Sequence, residues 1–134
     1  MDENNKPMSE MVDITNKTKG KIPNLPFSVF KDAVLGKDYN LSLVFVGSTT
    51  AKKLNKTYRD KDYATDILSF PLDKKNGEIF INPQKAKIKA KEFNREYSNY
   101  IAFLFIHGLH HLKGMDHGST MERAEEKIRK MFSI

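Results

Sequence analysis

"SNYIAFLFIHGLHHLKG", residues 98–114, is the stretch on which the fold turns. Its apolar side chains occupy nearly every side of a 3.6-residue period. That pattern predicts a buried central helix, because a surface helix keeps one polar face. Its longest apolar run, "YIAFLFI" at 100–106, falls far short of the roughly 20 residues that a membrane span requires. The helix therefore belongs to the core of a soluble domain. It ends in histidines and a glycine, so whatever the histidines do happens at the C-terminal end of a buried element.

The flanking sequence supplies the layers around this helix. Towards the N-terminus, "PQKAKIKAKEF" (83–93) reads as a helix with Pro83 at its start, where a missing N–H costs nothing. Before it, "TDILSFPL" (65–72) and "GEIFIN" (77–82) flank the turn residues "DKKN", a hairpin signal. "STTAKKLNKTYR" opens on cap-type residues and reads as a short helix. "YNLSLVFVG" (39–47) alternates and then runs apolar, as a strand does. "FSVFKDAVLG" carries Phe30, Val34 and Leu35 at helical spacing and stops at Gly36. "MVDITN" (11–16) is a candidate first strand, and residues 1–10 read as a flexible polar tail. Towards the C-terminus, "STMERAEEKIRKMFSI" opens with an apparent capping box, Ser119 and Glu122. Met121, Ala124, Ile128 and Met131 form its apolar face. The predicted order is β-α-β-α-β-β-α-α-α. It implies an α/β (α+β) fold: one small domain over 11–134, a mixed sheet of about four strands and about five helices.

Composition narrows the chemistry. The chain of 134 residues has no cysteine, which excludes disulfides, thiolate metal sites and a cysteine nucleophile. This suits a reducing cytoplasm, and the N-terminus shows no basic-then-apolar signal peptide. A transition metal would have to use His, Asp or Glu. The net charge of +6 favours a polyanionic partner such as nucleic acid. Only four of the 23 basic residues are arginines, however, and lysine-rich surfaces also serve plain solubility.

All four histidines lie between residues 107 and 117. His107 and His111 are four apart, so on a helix they sit on one face with Cβ atoms about 5–6 Å apart. Gly114 lets the chain turn, and His117 follows three residues later. The pattern H-x-x-x-H-x-x-G-x-x-H offers three imidazoles to one ion and leaves a tetrahedral position open, the arrangement of a catalytic site. His110 lies off the shared face and reads as a packing or surface residue. Zinc proteases with this spacing place a glutamate directly after the first histidine as general base. Here that position is Gly108, which argues against peptide cleavage. A glycine in mid-helix costs about 1 kcal/mol relative to alanine, so close helix–sheet packing or the site itself should require it.

Two long motifs resemble one family. "HGLHHLKGMDH" is similar to the H-G-x-L-H-L-x-G-Y-D-H signature of the YbeY family of bacterial rRNA-maturation endoribonucleases. "LNKTYRDKDYATDILSFP" (54–71) resembles that family's L-N-x-x-[FY]-R-x-x-D-x-x-T-D-V-L-S-F-P, and "NGEIFIN" its G-D-I-x-I segment. The resemblance covers about residues 10–132. It implies a small α/β fold with a mixed sheet and a metal site at the end of a buried helix. It also implies single-strand-specific, zinc-dependent endoribonuclease activity in 16S rRNA 3′-end maturation and ribosome quality control. His107, His111 and His117 match the metal ligands, and Arg59 matches a functionally important arginine. His110 stands where the family has leucine, and Met115 where it has tyrosine.

On this reading a zinc ion held by His107, His111 and His117 polarises a phosphoryl oxygen and activates a nucleophile. That nucleophile is either water or the RNA 2′-hydroxyl. Arg59 offers a planar, permanently charged fork to phosphate, with a salt bridge to Asp60, Asp62 or Asp66 as the alternative. Asp116 is a candidate to orient a ligand imidazole, or a turn residue. Thr65 and Asp66 order the loop before the strand. Lys74, Lys75, Lys85, Lys87, Lys89 and Lys91 are either RNA backbone contacts, Lys85 and Lys89 foremost, or solvated surface. Two further readings compete with the nuclease. One is a ribosome- or RNA-associated factor with a structural metal; the other is a metal-dependent hydrolase of another substrate. Zinc is expected, although three imidazoles also suit nickel, cobalt and iron.

Overall fold

The structure, a computed structural model, describes residues 12–134; the flexible tail expected over 1–10 lies outside them. The elements run β1 (Val12–Asn16), α1 (Phe27–Leu35), β2 (Asn40–Phe45), α2 (Ser48–Arg59) and β3 (Ile67–Asp73). Then follow β4 (Asn76–Ile81), α3 (Pro83–Glu92), α4 (Tyr97–Leu112) and α5 (Ser119–Met131). This is the order predicted from the sequence.

The four strands form one mixed sheet in the order β1-β2-β4-β3. β2 pairs in parallel with β1 and β4, while β3 returns antiparallel to β4 through the tight turn after Asp73. Pro71 lies on edge strand β3, where a missing donor is tolerated, and the register slips between Pro71 and Asp73. Alternation along the strands divides the side chains between two faces. Leu41, Leu43 and Phe45 of β2 and Ile79 and Ile81 of β4 enter the main core. Val44, Val46 and Phe80 point the other way, onto Ala51 of α2.

α4 is the spine of the main core. Ile101, Phe105, Ile106 and Leu109 are fully buried on it, beneath α1 on one side and the sheet on the other. Phe105 meets Phe27 edge-on with ring centroids 5.0 Å apart. At Gly108 α4 packs close against the sheet. A Cβ there would lie 2.9 Å from both Ile67 Cδ1 and Ser69 Oγ and 3.1 Å from Ile79 Cδ1. Close packing therefore explains the glycine. No helix among the described residues is long and apolar enough to cross a membrane.

Three local expectations are corrected. Ser119 is the first helical residue of α5 rather than its cap; Gly118 caps the helix at φ 154°, with no side-chain cap bond, so the capping box does not form. Ser48 likewise does not cap α2. Gly47 holds that position, and the Ser48 hydroxyl is shared by Gln84 and Asn82. On α5 Met121 is buried but Met131 is 62% exposed, and the inward position belongs instead to Glu125, 5% exposed. The apolar stripe thus carries a carboxylate at its centre, for a reason found in the site.

Candidate metal centre

The histidines are set by how α4 ends. Gly114 N–H donates to His111 O, Met115 N–H donates to His110 O, and Gly114 has φ +95°. This pair of bonds around a left-handed glycine is a Schellman motif, which closes off the last carbonyls of the helix. It throws residues 115–117 back across the helix end. His117 then faces His107 and His111, with ring centroids 5.2 and 4.6 Å away. One ring nitrogen from each of the three lies within 4.8 Å of the other two.

The outer nitrogens fix the tautomers. His107 Nδ1 lies 2.8 Å from Glu125 Oε1, and His111 Nδ1 lies 3.2 Å from the Met115 carbonyl. A carboxylate and a carbonyl only accept hydrogen bonds, so both Nδ1 atoms donate and both Nε2 atoms carry lone pairs. Those two Nε2 atoms sit 3.1 Å apart. Two lone pairs at that distance repel unless a cation or a proton lies against them. Burial lowers the His111 pKa, and a positive charge on either neighbouring imidazole would lower it further, which disfavours the proton. Neutral His107 and His111 converging through Nε2, each oriented by an outer acceptor, with a His117 nitrogen beside them, fit a divalent metal ion.

Burial pushes the Glu125 carboxyl up, yet its hydrogen bond with His107 and the charges of His107, His110 and Arg129 outweigh this and hold it below its usual value. It remains a carboxylate, which the His107 tautomer requires. Glu125 was not singled out from the sequence. The available signal was a glutamate four residues after Met121 on the inward face of α5. Replacing Glu125 with glutamine, whose amide presents either a donor or an acceptor to Nδ1, should weaken metal binding by roughly 10–100-fold. Competition titration with a chromophoric chelator measures this, and unchanged affinity would refute the role.

His110 stands clear of the centre. It is 2% exposed, and its Nδ1 donates to the Ile106 carbonyl at 2.8 Å. Of its two sequence readings, packing holds. Asp116 is exposed and lines the cleft in front of the histidines, while Glu125 and the Met115 carbonyl take the orienting positions. Thr65 and Asp66 order the loop before β3: Asn82 donates to the Thr65 carbonyl, and the Tyr100 hydroxyl donates to Asp66 Oδ2 at 3.0 Å.

The cleft encloses about 580 Å³ between the histidines, β3 and the end of α2. Arg59 forms its far wall. One guanidinium nitrogen donates to the Ser69 carbonyl at 2.6 Å, and the group lies 4.9 Å from the centre of the Phe70 ring. These contacts, rather than a salt bridge with Asp60, Asp62 or Asp66, hold Arg59, and no carboxylate among the described residues pairs with its charge. Lys61 and Tyr63 continue this wall. Lys85 and Lys89 do not line it; both are half-buried on α3, where Lys89 lies 3.9 Å from Glu92. Lys74 and Lys75 are exposed in the β3–β4 turn.

Fold and site together define a small α/β protein whose three histidines can hold a metal ion in an open cleft. The sequence profile described as endoribonuclease YbeY matches residues 5–133, and the chain belongs to the YbeY family. It is 41% identical over 102 residues to endoribonuclease YbeY of Alkaliphilus oremlandii, covering 69% of this chain and 68% of that one. The Clostridium botulinum (strain Hall) endoribonuclease YbeY is 29% identical over 154 residues, covering 92% and 93%. The solution structure of TM1509 from Thermotoga maritima superposes with a TM-score of 0.64 at 25% identity, covering 91% of this chain and 89% of that one. Family membership makes the chain an endoribonuclease, a hydrolase whose substrate is RNA.

Proposed function

We propose that this chain is a zinc-dependent, single-strand-specific endoribonuclease of the cytoplasm, acting in 16S rRNA 3′-end maturation and ribosome quality control. The observation that carries the reading is the pair of Nε2 lone pairs facing each other at 3.1 Å, in the same cleft as Arg59. His107, His111 and His117 hold the ion, which when bound supplies Lewis acidity at a phosphoryl oxygen. Every other part of the chemistry falls to side chains. Glu125 and the Met115 carbonyl keep the imidazoles in the binding tautomer. Arg59, pinned from behind by the Ser69 carbonyl, turns its remaining N–H donors to the non-bridging oxygens of the phosphate. Asp116 stands at the cleft mouth, within reach of an incoming strand. Lys85 and Lys89, away from the cleft wall, add only to the general positive field that draws RNA in.

Purified protein of defined metal content, assayed on matched single-stranded and duplex RNA, tests this. Arg59→Ala should lower kcat/KM by roughly 100-fold or more, the scale for losing one preorganised charge donor, with metal content intact. Arg59→Lys should restore little, because the fork and its anchor are lost. Wild-type cleavage by metal-replete Arg59→Ala would sink the assignment. A 2′,3′-cyclic phosphate on the product would identify the 2′-hydroxyl as nucleophile.

A further inference from the structure

A second cleft, of about 570 Å³, opens on the α5 side of the histidines, and His107 and His117 line both clefts. A strand crossing the histidines from the Arg59 side therefore enters it. Its wall is aromatic. Tyr100 lies between Phe93 and Phe103, with ring centroids 6.0 and 5.8 Å away and interplanar angles of 23° and 18°. Phe93, at the C-terminal cap of α3, is 58% exposed although it is a large apolar side chain. The Arg129 guanidinium lies 5.0 Å from the centre of the Phe103 ring and extends the flat surface. The polar groups around this wall are mostly acidic: Asp66, Glu122, Glu125 and Glu126 line the cleft.

We propose that this cleft is a nucleobase subsite, taking the base of the nucleotide next to the phosphate held at the histidines. The proposal rests on the endoribonuclease reading above. A phosphate placed here would meet four carboxylates, with one guanidinium already engaged on a ring. A base is neutral, has a π-face for the aromatic column, and presents ring and exocyclic N–H donors to carboxylates at its edge. The two clefts thus divide one nucleotide step: phosphate towards Arg59, base towards Phe93. A base can reach the column only when unpaired, so the subsite gives a physical reason for single-strand preference.

Single-stranded RNA with 2-aminopurine at successive positions, mixed with metal-replete protein and read by stopped flow before turnover, tests the subsite. Stacking should quench the fluorescence at one position. Phe93→Ala should abolish that quenching and raise Kd by roughly 5–100-fold, the usual scale for losing one base–aromatic stack. Because Phe93 is exposed, the variant should fold normally, and Phe93→Trp should restore quenching. Quenching at no position, or equal quenching in Phe93→Ala, overturns the subsite. Phe93-dependent quenching without RNA cleavage by the wild type would uphold the subsite and overturn the nuclease reading instead.

Discussion

His111→Ala should yield a folded protein that no longer retains a stoichiometric metal ion and no longer cleaves RNA. His111 is the middle one of the three histidines, with ring centroids 4.6 Å from both His107 and His117. Its loss leaves two imidazoles, one of them on the exposed loop after α4. The activity should fall by more than the roughly 10–100-fold expected when only an outer partner of a ligand is removed. His111 is the better choice than His107 for this experiment. Removing His107 would strand the buried Glu125 carboxylate without its partner, and the resulting instability would obscure the loss of metal. Metal analysis, circular dichroism and an RNA cleavage assay on one preparation give the answer. Full metal content with full activity would overturn the assignment of His111 as a ligand.

The second large effect concerns Gly108. A glutamate there would recreate the H-E-x-x-H pattern of zinc proteases between His107 and His111. The expected result is not a peptidase but a protein that fails to fold. The new side chain would start where even a Cβ meets Ile67, Ser69 and Ile79 at 2.9–3.1 Å, and none of these contacts carries a positive charge to pair with its carboxylate. Burial of an unpaired carboxylate costs several kcal/mol, a large share of the roughly 5–15 kcal/mol that stabilises a domain. Gly108→Ala should be milder. Overpacking of about 1–3 kcal/mol is offset in part by about 1 kcal/mol of helix propensity. Thermal unfolding should rank wild type above Gly108→Ala and both above Gly108→Glu. A Gly108→Glu protein as stable as wild type would refute the packing account.

What could be read in advance followed from periodicity. The α4 sequence is apolar all round, and it lies buried at the centre. The strands alternate, and the hairpin carries its turn residues, so the element order and the mixed sheet were legible. The spacing of His107, His111 and His117 was legible too, because helix geometry and one turning glycine bring them together locally. What escaped depends on contacts distant along the chain. Glu125 reaches His107 only because α5 folds back onto α4, and that docking replaces Met131 with a carboxylate on the inward face. Ser119 and Ser48 have capping chemistry, but a glycine before each helix takes the cap position. The Phe93–Tyr100–Phe103 column joins the end of α3 to α4, and neither segment announces it alone.

The bond between His107 and Glu125 also imposes an order of events during synthesis. His107 and His111 leave the ribosome before the carboxylate that holds His107 in place. Until α5 emerges and docks, His107 has no carboxylate to set its tautomer, although His107, His111 and His117 have all been translated. The histidine cluster is thus fully oriented only after α5, which holds none of the three histidines, has been translated.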